Sequence, residues 1–303
     1  MFRFKAIASR AVASITFALF AGAAQAGNLD CSNWQSAHPA WVWCDDFESD
    51  SALESNYFEV GRMGGRFGVS GESVFGGSGA LRSLHIPAEP EAGHVRFGLG
   101  RSPVKSRVAT TRDFTEVYWR FYMSTGPTWE GNALKVTRAT IFAASNWSQA
   151  AIGHLWDDYG AGGLLGTGLD VATGVTNGNV VTTKYNDFDH LRWLGKANGS
   201  TQVYSTANRG RWFCVEVQMK LNTPGAADGT FSYWIDDKLE AQKKSIDWRG
   251  TYTAYGINAI MLENYVNDGV PHNQTRYFDN LVISTERIGC QRQPMPPTGV
   301  RTN

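Results

Sequence analysis

From Val42 onward the apolar residues come in short runs rich in Val, Ile, Phe, Tyr, Trp and Thr, broken by clusters of Gly, Asn, Asp and Pro. That is the rhythm of strands and tight turns. In Phe114 to Met123 (FTEVYWRFYM) the residues Val117, Trp119, Phe121 and Met123 alternate with Glu116, Tyr118, Arg120 and Tyr122. A strand with this period buries one face and displays a carboxylate, two phenols and a guanidinium on the other. In Trp212 to Asn222 (WFCVEVQMKLN), Phe213, Val215, Val217, Met219 and Leu221 likewise oppose Glu216, Gln218 and Lys220. Thr223-Pro224-Gly225 and Asp228-Gly229 then turn the chain into a second strand, Thr230 to Ile235, which predicts a hairpin. Tyr255 to Tyr265 and Arg276 to Ser284 read as further strands, and only Ser51 to Tyr57 and Asp187 to Leu194 suggest short helical turns. The pattern predicts an all-β chain folded as a two-sheet antiparallel β-sandwich. The stretch Gly160 to Gly178 (GAGGLLGTGLDVATGVTNG) lacks the GxxxxGK[ST] spacing and a following helix, so it reads as a loop bordering a groove rather than a phosphate cradle.

Arg3, Lys5 and Arg10 precede an apolar run from Ala11 to Ala24, and Ala24-Gln25-Ala26 has the small-x-small pattern of a signal-peptidase site. Residues 1–26 therefore read as a signal peptide, 27–290 as one sandwich domain and 291–303 as a flexible, Pro-containing tail. The run is short for a helix that must cross a hydrocarbon core of ~30 Å. Formal net charge is zero, with no Lys/Arg cluster, so neither nucleic acid nor an anionic membrane is an expected partner; a monomer is expected. The expected compartment is the periplasm or the medium, where Cys31, Cys44, Cys214 and Cys290 would form two disulfides. Three pairings are open, and Cys31–Cys44 with Cys214–Cys290, tying the last strand to an inner one, is favoured. No CxxC or CxxH spacing supports zinc.

No ExDxxE pair of hydrolase carboxylates, GxSxG elbow or HExxH helix is present. The polar inventory of Arg, Tyr, His, Lys, Asn and Gln suits β-elimination of a uronic-acid polymer. In that reaction a donor neutralises the C6 carboxylate, a base takes the C5 proton and an acid protonates the leaving oxygen. The leading constellation has Arg120 as the carboxylate clamp between Tyr118 and Tyr122, with His154 as base and Trp156 beside it for stacking. Glu116, Lys135, Gln218 and Asn264 complete the expected substrate groove. The structural alternatives are an Arg120–Glu116 ion pair, a hydrogen-bonded His154 and tyrosines that merely pack a sheet. Glu48 in the segment CDDFE and Asp279 in the last strand meet if the terminal strands run side by side, and with the backbone of Gly77-Ser78-Gly79 they would form an oxygen cage for Ca²⁺ at Glu48, Ser78 and Asp279.

CDDFE, GGSGALR, VYWRFYM, WFCVEVQMKLNTPGAADGTFSYWIDD, INAIMLENY and RYFDNLVIS together resemble the polysaccharide-lyase-like jelly rolls of the concanavalin A type, the group of glucuronan lyases and fungal cellulose-induced proteins. The resemblance runs from about Cys44 to Cys290. It implies a structural Ca²⁺ at the sandwich edge, near Glu48, Asp279 and the Gly77-Ser78 backbone, and a sugar groove with Arg and Tyr, mapped to Arg120 and its neighbours. The signatures RxELR, QIH and YxKxGxYxQ of alginate lyases do not occur as such. Two other readings stand beside the lyase. One is a lectin-like carbohydrate-binding protein, suggested by eleven tryptophans; the other is a glycoside hydrolase.

Overall fold

The computed structural model describes residues 31–130, 135–158, 165–267 and 269–291. The expected signal peptide, and the expected tail beyond residue 291, lie outside the described residues. In chain order the strands are β1 (Trp41–Asp45), β2 (Glu59–Gly61), β3 (Phe67–Ser70), β4 (Ala80–His85), β5 (Glu91–Gly98), β6 (Glu116–Thr125), β7 (Lys135–Phe142), β8 (Gln149–Asp158), β9 (Gly166–Thr173), β10 (Val175–Thr176), β11 (Asn179–Val180), β12 (Arg192–Asn198), β13 (Phe213–Lys220), β14 (Gly229–Ile235), β15 (Lys238–Ile246), β16 (Ala259–Tyr265) and β17 (Gln274–Ser284). They form an eight-stranded sheet, ordered β15-β14-β13-β6-β17-β4-β3 with β1 also on β17, and a seven-stranded sheet, ordered β12-β9-β8-β7-β16-β5-β2. The pairs within these two sheets are antiparallel, and β10 and β11 form a separate short ribbon. The chain is a two-sheet jelly-roll sandwich.

The interior follows from the alternation. Val117, Trp119, Phe121 and Met123 of β6 and Val215, Val217 and Met219 of β13 are buried against Val95 and Phe97 of β5, Leu155 of β8, Val171 of β9 and Ile260 and Leu262 of β16. Polar bridges also span the two layers: Tyr233 Oη donates to the Thr167 carbonyl at 2.6 Å and Arg276 Nη1 to the Lys135 carbonyl at 3.1 Å. The Trp119 indole N–H donates to Thr137 Oγ1 at 2.8 Å, and that hydroxyl donates to the Met261 carbonyl at 2.6 Å, so the indole's polar edge is satisfied inside an apolar core. At Gly153 the layers come so close that a Cβ would lie 2.5 Å from the Phe231 ring, which excludes any side chain there.

Both disulfides form as favoured, Cys31–Cys44 and Cys214–Cys290. Cys290, however, lies beyond the end of β17, so the second bridge ties down the segment after the last strand rather than the strand itself. The glycine-rich stretch also differs from expectation: residues 166–173 are strand β9, not loop. Its Leu169 and Val171 face the core while Asp170 and Ala172 face out, and that alternation outweighs the glycines. The turn falls instead at Asn177-Gly178, both with positive φ. Asp187 to Leu194 is a turn leading into β12.

Loop closure sets the expected worth of each bridge, since cross-linking distant residues removes more disorder from the unfolded chain. The Cys214–Cys290 bridge spans 76 residues and Cys31–Cys44 spans 13. Urea denaturation of C214A/C290A should show a loss of about 4 kcal/mol, against about 3 kcal/mol for C31A/C44A. An equal or smaller loss for the longer bridge would mean that the segment it holds contributes nothing to the fold.

Candidate functional site on the seven-stranded sheet

The residues facing away from the core differ sharply between the sheets. On the eight-stranded sheet Arg120 is 1% exposed, and its Nη1 donates to the Gly289 carbonyl and, weakly, to Tyr122 Oη. Tyr122 donates to the Gln291 carbonyl at 3.0 Å, and the Glu216 carboxylate accepts from the backbone N–H groups of Ile288 and Gly289. The segment fastened by Cys290 thus lies across this face as a strap. Beside it Tyr118 donates to Glu116, and the Gln218 amide also donates to Glu116, a closed set of side chains on the surface. The expected groove on β6 is therefore corrected. Arg120, Tyr118, Tyr122, Glu116 and Gln218 sit on the sheet opposite to His154, so the proposed clamp and base cannot meet one sugar. The physical reason is that β6 and β8 belong to different sheets, and that the strap covers Arg120 and Tyr122.

The outward face of the seven-stranded sheet holds a cavity of about 420 Å³. Since Val95 and Phe97 point inward, His94 and Arg96 of β5 point out. By the same rule Glu263 and Tyr265 of β16, Arg138 of β7, and His154 and Trp156 of β8 share that outer face. Lys135 joins them through an irregularity. Thr137 bonds Trp119 inside the core, so strict alternation would turn Lys135 inward, but a bulge between Lys135 and Thr137 brings it to the cavity opposite Trp156. Tyr185, Asn186 and Phe188, from the loop between β11 and β12, close one side.

A continuous hydrogen-bonded chain crosses the floor. His94 bonds Glu91 at 2.6 Å and Glu59 at 3.3 Å, and Glu59 pairs with Arg96 at 2.6 Å. Arg96 donates to Tyr185 Oη at 3.1 Å, and Tyr185 donates to Glu263 at 3.2 Å. Glu263 pairs with Arg138 at 2.7 Å, and Arg138 donates to the Asn186 side-chain oxygen at 2.8 Å. Burial disfavours the charged Glu263, but Arg138 above all, then Lys135 and Arg96, hold its pKa below the usual carboxylate range. Burial likewise opposes the His94 cation, yet its bonds to Glu59 and Glu91 prevail and raise its pKa.

Two groups behave differently. Burial, then the charges of Arg138 and Lys135, push His154 well below the ordinary histidine value, so its ring is neutral. It is 1% exposed, packed 4.6 Å from the Trp156 ring, and does not line the cavity, which removes it as the expected base. Lys135 is depressed to about 8, again chiefly by burial, and its Nζ stands 4.6 Å over the Tyr265 ring and 5.8 Å over the Trp156 ring. Of the other expected groove residues, Trp156 and Asn264 line the cavity, with Asn264 also donating to the Gly93 carbonyl at 3.0 Å. Sequence reading missed Arg96, Arg138, Tyr185 and Glu263. The alternating run INAIMLENY carried the signal for Glu263, while nothing local marked the rest.

The expected Ca²⁺ residues lie on the other sheet, Asp279 in its inner strand β17 and Glu48 and Ser78 in the loops beside it. Glu48 accepts from the Ser78 hydroxyl at 2.6 Å and its N–H at 3.0 Å, and Asp279 accepts from the N–H groups of Phe75 and Gly76 at 2.8 and 3.2 Å. Burial, with a contribution from Glu48, pushes Asp279 up to about 7. Next to it the side chain of Asn280, fully buried on a backbone with φ of 53°, has no hydrogen-bond partner among the described residues.

No protein-family model matches this chain, and no curated protein matches it in sequence. Solved structures do. The marine alginate lyase of Aplysia kurodai superposes with a TM-score of 0.55 at 11% identity, over 81% of this chain and 99% of that one. The alginate lyase Aly36B, bound to an alginate trisaccharide, gives 0.53 at 13% identity over 82% and 99%. An alginate lyase from Chlorella virus gives 0.52 at 10% identity over 81% and 100%. The chain shares the jelly-roll sandwich fold of these alginate lyases.

Proposed function

We propose that the cavity on the seven-stranded sheet is the active site of an exported polysaccharide lyase that cleaves a uronic-acid-containing chain by β-elimination. The observation that carries this reading is Lys135, an amine depressed to about 8 and facing a cavity, so that roughly a tenth is the free base at pH 7, against well under a thousandth for an ordinary lysine. Arg96, whose Nε is buried with no partner among the described residues, is the cation to neutralise the substrate carboxylate and so acidify its C5 proton. Lys135 takes that proton and the C5 electron pair forms the C4–C5 double bond. As the C4–O4 bond breaks, the Tyr185 hydroxyl protonates the leaving oxygen, and the N–H that Arg96 already donates to Tyr185 stabilises the phenolate left behind. The shared fold with three alginate lyases supports the reaction class. Two disulfides support export, and among the described residues no helix is long and apolar enough to cross a membrane.

A panel of alginate, glucuronan, pectate and glycosaminoglycans, followed by the ultraviolet absorbance of the unsaturated product, tests the reading. Product from none of them across pH 5–9 overturns it. Polymer retardation in an affinity gel without product would leave a carbohydrate-binding protein, and new reducing ends without unsaturation a hydrolase. Because Lys135 works as the free amine, kcat/KM should rise with pH through about 8. Lys135→Met should lower kcat by roughly 10²–10⁴-fold. It should leave thermal stability unchanged or higher, because the fold disfavours the charged amine that it removes.

The oxygen-rich cluster of Glu48, Ser78 and Asp279 belongs to the same proposal as a structural Ca²⁺ site. Two neighbouring carboxylates, one forced toward its neutral form by burial, and the unpartnered Asn280 amide are a donor set that a hard cation satisfies. Calcium chloride should raise the melting temperature by several degrees and a chelator reverse it. Asp279→Asn should abolish the response, and an unchanged response in that variant would place any calcium elsewhere.

A further inference from the structure

Three large apolar side chains are markedly exposed among the described residues: Phe188 at 44%, Trp193 at 42% and Leu239 at 48%. Two of them, Phe188 and Trp193, are stacked on each other at the mouth of the cavity, 6.1 Å apart with planes 17° from parallel. A soluble surface gains nothing from holding two aromatic rings in water, and a contiguous exposed apolar patch beside a polar cavity marks a binding surface.

Both rings are mounted rigidly, at some cost. In β12, Leu194 and Ala197 both pack against the core although they are three residues apart, because a bulge falls between Trp193 and Gly195. Gly195 takes a φ of +114°, a conformation open to glycine and strained for other residues. The bulge turns Trp193 outward. Phe188 follows Asp187, whose carboxylate accepts from the Thr183 N–H at 2.7 Å, the Thr183 hydroxyl at 2.8 Å and the His190 ring at 2.9 Å. Next to it, Asn186 is pinned by Arg138 and by the Gln149 side chain. Side chains held this way are preorganised, so a ligand does not have to meet the entropy of ordering them.

The ledge also continues inward. Trp193 lies 6.0 Å from the His154 ring, which lies 4.6 Å from Trp156, and Lys135 stands over Trp156. The interplanar angles along this row are 31° and 37°; His154 itself is buried, while its two neighbours in the row, Trp193 and Trp156, line the cavity that holds the amine. We propose that the Phe188–Trp193 ledge is a distal subsite that stacks the pyranose rings of a polymer chain leading into the cavity, so that the protein grips long chains and acts at internal linkages.

This inference rests on the lyase reading for its chemistry, but its test separates the two. The probes are alginate and glucuronan, each as polymer and as the shortest oligosaccharide cleaved. In F188A/W193A the ratio of kcat/KM for polymer to that for oligosaccharide should fall about tenfold, from the loss of two aromatic contacts. In Leu239→Ala, away from the cavity, the ratio should hold. Retardation by polymer in an affinity gel should weaken in the double variant by a similar factor, and this readout needs no turnover. Ledge-dependent retardation with no unsaturated product would sink the lyase reading alone. Turnover with an unchanged ratio would sink the ledge alone. Circular dichroism and melting temperature guard against misfolding. A concentration-dependent dimer of the parent protein that the double variant dissolves would also overturn the proposal, because the rings would then serve a second copy of the chain.

Discussion

A sandwich of two sheets buries one face of each and leaves two outer faces whose backbones are already paired, and the fate of those faces decides everything else about this molecule. The inner faces are joined by apolar packing and by polar links, from Tyr233 to the Thr167 carbonyl, from Arg276 to the Lys135 carbonyl, and from Trp119 through Thr137 to the Met261 carbonyl. The last of these links fixes which way β6, β7 and β16 are turned, because a shift of one residue in any of them would exchange its faces. With the register set, Arg120 must point out of one sheet and Arg138 out of the other. The two guanidiniums then meet different ends: a disulfide-held strap closes over Arg120, and Arg138, also buried, is stacked on the Tyr185 ring and paired with Glu263, both of which line the cavity.

The buried Arg138–Glu263 pair is better understood as an organiser than as a source of stability. Removing two charges from water costs about as much as their attraction returns, so such a pair adds little net free energy. It does specify geometry. Glu263 accepts from Tyr185 as well as from Arg138, and Arg138 holds Asn186, so one ion pair anchors the loop that carries Tyr185 and Phe188. On the far side Arg96 joins Tyr185 to Glu59 and His94. Nearly every cation of the floor is thus already matched by a carboxylate. Lys135 makes no such ion pair among the described residues, and burial, with the charges of Arg138 and Arg96, outweighs the pull of Glu263 and keeps its pKa depressed.

Strand alternation made the interior legible: the inward rows of β6 and β13 fall where the spacing puts them, and of the three disulfide pairings left open the favoured one forms. The outer faces were not legible in the same way. FTEVYWRFYM shows a polar row but not what covers it, since the strap that buries Arg120 is linked to β13 across 76 residues. Lys135 was recognisable as a groove residue, yet its prominence comes from a bulge, and a bulge breaks the periodicity on which sequence reading relies. The same holds for Trp193, whose exposure depends on the irregularity before Gly195. His154 had the opposite fate, as an outward position on β8 that its aromatic neighbours cover.

The two bulges therefore have a common meaning. A regular strand would have turned Lys135 into the core, where a charged amine is costly, and would have left Trp193 free to pack. Each irregularity instead gives up ladder hydrogen bonds to hold a side chain at the cavity, Lys135 at one end of β7 and Trp193 near the start of β12. Proteins tolerate such local violations where something besides stability constrains the residue. Between these two positions run the His154 and Trp156 rings, with the Lys135 amine over the second. Burial lowers the affinity of Lys135 for its proton, and Trp156 beside it lines the same cavity as Phe188 and Trp193, so the base and the surface offered to a sugar ring belong to one cavity.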